Sequence, residues 1–197
     1  MATAALNRYT PEEYLALERH AEFRSEYIDG RIIAMAGAPR PHILIVHNLD
    51  REIGVRLLDS PCETYPTEMK VKVGASGRYV YPDLCVSCAP RFEDGNADVL
   101  LTPVLIIEVL SESTEKYDRG EKFTHYRRIE SLREYVLFSQ KECLVERYVR
   151  DGDFWQFNSV DDLDASLELT SLGIKIPLRR IYAKVLPVNP AEPGTGT

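Results

Sequence analysis

A mixed α/β domain of the α+β type is the fold class that this sequence predicts, on three observations. The order of patterns is helix, hairpin, helix, three strands, helix, then further strands, which suits neither an all-α nor an all-β protein. The chain has 197 residues, the length of one domain with a sizeable core. Its composition, 44% hydrophobic and 28% charged, is that of an ordinary globular protein.

Each element has a local reason. "YTPEEYLALERH" opens a helix, with Thr10 as N-cap, Pro11 at the first helical position and Glu13 closing a capping box. "SEYIDGRIIAMAG" reads as a β-hairpin around Asp29-Gly30, a pair suited to a two-residue turn. "PRPHILIVHNLDREIGVRLL" carries Ile43, Val46, Leu49, Ile53 and Leu57 at helical spacing, a second helix with a buried stripe. Three strands follow. "EMKVKVG" sets Met69, Val71 and Val73 on one face and Lys70 and Lys72 on the other. "YVYPDLCVS" is interrupted by Pro82, which marks a bulge, bend or edge. After a polar loop comes "PVLIIEVLS", apolar on both faces. A third helix is expected over residues 113–129, then strands including a hairpin at "RDGD". Residues 1–185 form one domain on this reading. Residues 186–197, rich in Pro, Gly and Thr, form a disordered tail.

Charge and targeting signals narrow the function. The net charge is −7, which disfavours tight non-specific binding to nucleic acid, because phosphate neutralisation needs Lys and Arg. No apolar run is long enough to span a membrane, and the N-terminal residues carry no secretion signal, so the expected location is the cytoplasm. Cys85 and Cys88 have CxxC spacing but no second knuckle, so with Cys62 and Cys143 they are expected as buried or half-buried thiols. Arg127, Arg128, Lys70 and Lys72 suit phosphate contacts or, with an acidic chain, solvated faces.

Chemistry concentrates in three residues. Glu108 lies in the middle of an apolar strand, where an unpartnered carboxylate costs several kcal/mol. Asp83 lies in the preceding strand and Lys122 on the following helix. Side chains on one face of neighbouring strands converge, and two converging carboxylates repel unless a proton or cation lies between them. Carboxylate pairs of this kind hold Mg²⁺ or Mn²⁺, and a nearby lysine can orient a nucleophile or neutralise developing charge.

"YPDLCV", "LIIEVLSEST" and "YDRGEKFTHYRR", with "SEYIDGRI" and "PRPH" upstream, resemble the Uma-type "putative restriction endonuclease" family of the PD-(D/E)XK nuclease superfamily. The match spans about residues 10–185, and its most specific part is "EVLS-x-ST" followed by Asp118, Lys122 and Tyr126. The resemblance implies a restriction-endonuclease-like central mixed sheet flanked by helices. It implies a metal-dependent endonuclease acting on DNA, with Asp83, Glu108, Lys122, Glu26 and His42 in the active site. Mg²⁺ or Mn²⁺ would be held by Asp83, Glu108 and the carbonyl of Val109. The superfamily lysine, two residues after the glutamate, is Leu110 here, so the lysine has moved to the helix as Lys122. A further carboxylate comes from Glu26 or from Glu52. Two other readings stand beside this one. A catalytically inactive nuclease-fold module would bind nucleic acid or protein. A homodimeric structural domain, joined through its C-terminal strands, would not bring Asp83 and Glu108 together.

Overall fold

The computed structural model describes residues 8–74, 77–112 and 114–186. Helix α1 (Pro11–Glu18) begins with the expected capping box: Thr10 Oγ1 accepts from the Glu13 N–H at 3.2 Å, and Glu13 accepts from the Thr10 N–H at 2.8 Å. Strands β1 (Ser25–Ile28) and β2 (Arg31–Ala34) form the hairpin, and Asp29 and Gly30 take the positive φ values, 51° and 86°, that its turn requires. Helix α2 (Arg40–Arg56) and strands β3 (Glu63–Pro66), β4 (Lys70–Val73), β5 (Arg78–Val80), β6 (Leu84–Ser87), β7 (Val99–Leu100) and β8 (Leu105–Leu110) follow. Next come α3 (Glu115–Tyr117), a π-helical turn (Asp118–Lys122) and α4 (Phe123–Tyr126), one short helical segment in three parts. The C-terminal part holds β9 (Glu134–Ser139), β10 (Val145–Asp151), β11 (Phe154–Val160), β12 (Ser166–Leu169), β13 (Ile174–Pro177) and α5 (Leu178–Ile181). The tail expected to be disordered, 186–197, lies beyond residue 186 outside the described residues.

The fold is mixed α+β, as expected, but the strands divide between two main sheets rather than one. A five-stranded sheet runs β2-β1-β5-β4-β7, a six-stranded sheet runs β11-β10-β9-β8-β6-β3, and β12 and β13 form a separate hairpin. Pro82 lies where the chain leaves the first sheet for the second, between β5 and β6. A proline there loses no ladder bond. Strands β3, four residues of mixed pattern, and β7, two residues long, carry too little periodicity to be expected from sequence.

The centre of the six-stranded sheet, β6, β8 and β9, is buried on both faces. Leu105, Ile107 and Val109 of β8 pack with Ile45, Leu49 and Ile53 of α2. Ile106 and Leu110, on the opposite face, pack with Val71, Val80 and Leu100 of the five-stranded sheet. Each such residue contributes about 1.5–3 kcal/mol by leaving water. The α2 stripe differs from expectation at one place: Ile43 is exposed, and Ile45 takes the buried position. By strand alternation Glu108 shares the face of Ile106 and Leu110, and so points into the layer between the two sheets.

The cysteine expectation is corrected in part. Cys85 and Cys143 are free thiols, but Cys62 and Cys88 form a disulfide. Glu63 pairs with Ser87 across β3 and β6, so one further step outward brings Cys62 opposite Cys88. That register is not visible without knowing that β3 exists.

Candidate active site

The site forms where β6 begins and β8 ends. Leu84 pairs with Ile107 in the antiparallel β6–β8 ladder, and one step back along the register sets Asp83 opposite Glu108 on one face. A homodimeric structural domain in which these residues stay apart does not fit this register. The two Asp83 oxygens are both engaged: Oδ2 accepts from the Val109 N–H at 2.7 Å, and Oδ1 lies 3.0 Å from His42 Nε2. A carboxylate only accepts, so His42 Nε2 is the donor. His42 occupies the first turn of α2, and the fold aims it at the site as expected.

Glu108 forms the floor, with only 5% of its side chain exposed. Its Oε1 takes two donors, Lys122 Nζ at 2.8 Å and the Tyr126 hydroxyl at 2.9 Å. Lys122 Nζ is also 3.5 Å from Asp118 Oδ1. The stripe Asp118, Lys122, Tyr126 therefore faces the sheet as its spacing suggests, but the backbone that presents it is a π turn, not a plain α-helix. Such turns recur at functional positions. The Tyr135 hydroxyl, from β9, donates to the Asp118 carbonyl at 3.1 Å and holds the turn in place.

Electrostatics at the site is dominated by negative charge. Burial pushes the Glu108 carboxyl well above its usual range; Lys122 opposes this, while Asp83 and Asp118 add to it. Burial pulls the Lys122 ammonium down, but Glu108, Glu26 and Asp118 outweigh it, so Lys122 is held charged above the ordinary lysine value. Burial also raises the Tyr126 hydroxyl, with Glu108 and Glu26 adding, so it stays a donor. Four carboxylates thus act on one buried ammonium and one imidazole.

Glu26 stands at the side of this group. Its Oε1 accepts from the Tyr81 N–H at 3.1 Å, and it acts on Lys122 through space. Glu52 belongs elsewhere: it is buried against Arg56 at 2.8 Å, Arg51 at 3.3 Å and Arg180 at 3.4 Å. By position Glu26 stands beside the site and Glu52 does not. Asp118, whose i, i+4 spacing lets it pair with Lys122, and Tyr126 stand outside the predicted catalytic set; both are buried, Asp118 beside Lys122 and Tyr126 on Glu108. Leu110 is buried in the apolar layer, and Lys122 stands beside Glu108 in its stead. Lys70 is buried on Asp98 at 3.0 Å, and Lys72, half-buried, pairs with Glu93. Arg127 and Arg128 are exposed, and Arg128 lines a groove of about 290 Å³ with Lys72 and Arg91. Among the described residues no three His, Cys, Asp or Glu side chains converge as a ready-made metal cage.

The fold and site define a restriction-endonuclease-like α+β protein. The chain belongs to the Uma2 family, described as "Putative restriction endonuclease", which it matches over residues 11–179. Two curated relatives come from Synechocystis sp. (strain ATCC 27184 / PCC 6803 / Kazusa). "Uncharacterized protein sll1609" is 35% identical over 176 residues, covering 88% of this chain and 99% of the relative. "Uncharacterized protein slr1290" is 34% identical over 182 residues, covering 91% and 94%. Among solved structures, a "putative nuclease belonging to DUF820" from Anabaena variabilis ATCC 29413 superimposes with a TM-score of 0.74 at 20% identity, covering 90% of this chain and 99% of that one. No helix among the described residues is long and apolar enough to cross a membrane.

Proposed function

We propose that this protein is a divalent-metal-dependent endonuclease that hydrolyses phosphodiester bonds in DNA. Membership of the family and the likeness to a nuclease structure support a nuclease. The observation that carries the finer reading is the buried juxtaposition of Asp83, Glu108 and Lys122, with more negative charge than Lys122 neutralises.

The donor set suits Mg²⁺ or Mn²⁺. Hard cations take oxygen ligands, and Mg²⁺ needs only one or two carboxylates, with water and substrate oxygens completing its shell. Asp83 and Glu108 would hold it. Glu108 Oε1 accepts from Lys122 and Tyr126, which orient the carboxylate. In an extended strand the N–H and C=O of one residue leave on the same side, so the Val109 carbonyl shares the edge at which its N–H meets Asp83. When bound, the cation supplies acidification of a water and neutralisation of phosphoryl charge.

The chain's own residues do the rest. Lys122 stays protonated, so its part is to stabilise charge on the phosphoryl oxygens rather than to act as a base. His42 and the Val109 N–H fix the Asp83 carboxylate, and Tyr126 fixes Glu108. Glu26 adds negative potential beside the cation site. A cytoplasmic homodimer is the form we assign to the enzyme, its β11 edge strand presenting exposed Phe154 and Phe157 to a second copy.

One observation favours a non-catalytic module: both Asp83 oxygens already accept hydrogen bonds. The same assay separates the readings. Wild type should nick supercoiled plasmid with Mn²⁺ or Mg²⁺ and not with chelator, and Asp83→Asn should lower the rate at least about a hundredfold. No nicking by wild type, or equal nicking by Asp83→Asn, would sink the catalytic reading.

A further inference from the structure

Asp118 is a buried carboxylate that the proposed chemistry does not use. It is 2% exposed, and its ion-pair partner among the described residues is Lys122. Yet Lys122 Nζ lies closer to Glu108, at 2.8 Å against 3.5 Å. A buried carboxylate without a close counter-charge is costly. Its place is held by backbone: Asp118 and Lys122 are the two ends of the π turn, and Tyr135 pins the Asp118 carbonyl. Asp118 is thus a seat beside the ammonium that the ammonium only half occupies.

A divalent cation shared by Asp83 and Glu108 would stand close to Nζ and repel it. Nζ would still need an anion in a buried site. The nearest is Asp118, within reach of the lysine's own side-chain torsions.

We propose that Asp118 is the positioning residue that receives the Lys122 ammonium when a divalent cation takes Glu108. Nζ then leaves Glu108 Oε1 for Asp118, remaining beside the reacting phosphate instead of competing with the cation. The proposal rests on the divalent-cation reading above.

Mn²⁺ binding measured by calorimetry tests it without any turnover. Lys122→Met removes the competitor for Oε1 and should tighten Mn²⁺ about tenfold, within the range of coupling between touching residues. Asp118→Asn should weaken Mn²⁺ about tenfold when Lys122 is present and by less than about twofold in the Lys122→Met background. An equal loss in both backgrounds means that Asp118 acts only as a nearby charge, and overturns the proposal alone. A wild type that binds no Mn²⁺ overturns the divalent-cation reading and this proposal with it. Should Lys122→Met not fold, a crystal structure of wild type with Mn²⁺ decides. Nζ on Asp118 and away from Glu108 supports the exchange, and Nζ still on Glu108 beside the bound ion overturns it.

Discussion

At the scale of single residues, Glu108 carries the most tension. Burial, Asp83 and Asp118 all favour its neutral form, and Lys122 opposes them. The folded chain therefore holds a proton on Glu108 more tightly than the unfolded chain does. Stability from that proton is fully present below the ordinary carboxylate value and is lost as pH rises through the raised folded value. Glu108→Gln keeps the shape and removes this dependence. In metal-free neutral buffer we expect its melting temperature to lie no more than about 2–4 °C below wild type, the equivalent of 1 kcal/mol, or above it. Its standing relative to wild type should improve as pH is raised from the acid side, while metal-dependent nicking disappears. A destabilisation of about 3–5 kcal/mol, as when a buried ion pair is broken, would instead make Glu108 structural.

At the scale of elements, the helical segment from α3 to α4 matters most. It is short, it contains the π turn, and it is anchored to the sheets by side chains on one face: Lys122 and Tyr126 on Glu108, and Tyr135 on the Asp118 carbonyl. Phe123 adds a stack on Tyr135, with ring centroids 5.5 Å apart. Tyr135→Phe keeps that stack and deletes the hydroxyl. Losing a hydrogen bond to a buried carbonyl costs about 0.5–1.5 kcal/mol. Chemical denaturation should show a loss of that size, and amide hydrogen exchange should quicken first in the π turn. A loss spread evenly over the sheet, with the turn still protected, would show that Tyr135 does not hold it.

At the scale of the molecule, two features decide how the site is held and approached. The C-terminal hairpin is tied to the six-stranded sheet through Glu134, which has no solvent exposure. Its carboxylate accepts from the Thr170 N–H at 3.1 Å, the Thr170 hydroxyl at 3.0 Å, the Ser171 N–H at 2.8 Å and the Ser171 hydroxyl, and Arg147 stands 3.5 Å away. Glu134→Ala removes the shared acceptor of these part-buried donors and leaves Arg147 without its buried counter-charge, and should cost at least about 3 kcal/mol in equilibrium unfolding. A change under about 1 kcal/mol would show that water takes over the clamp. The second feature is charge. The chain carries −7 overall, and Lys70 and Lys72 are spent on Asp98 and Glu93. An acidic site on an acidic protein repels a polyanion, and under the proposed function a bound divalent cation would reverse the local field.

Much of this was legible in the residues. The capping box, the Asp29-Gly30 turn and the β8 pattern are local codes, written in neighbouring side chains and backbone preferences, and each appears as read. Asp83, Glu108 and Lys122 could be singled out because a carboxylate in an apolar strand is costly without a partner, and the motif spacing supplied the partners. What only the tertiary structure decided depends on which strand lies beside which. The division of the strands between two sheets at Pro82, the Cys62–Cys88 disulfide, the pairing of Lys70 with Asp98 and the removal of Glu52 to an arginine cluster all follow from long-range register. Sequence carries local preference along the chain, but the partner of a buried charge is chosen by packing across it, where desolvation makes every unpaired group costly.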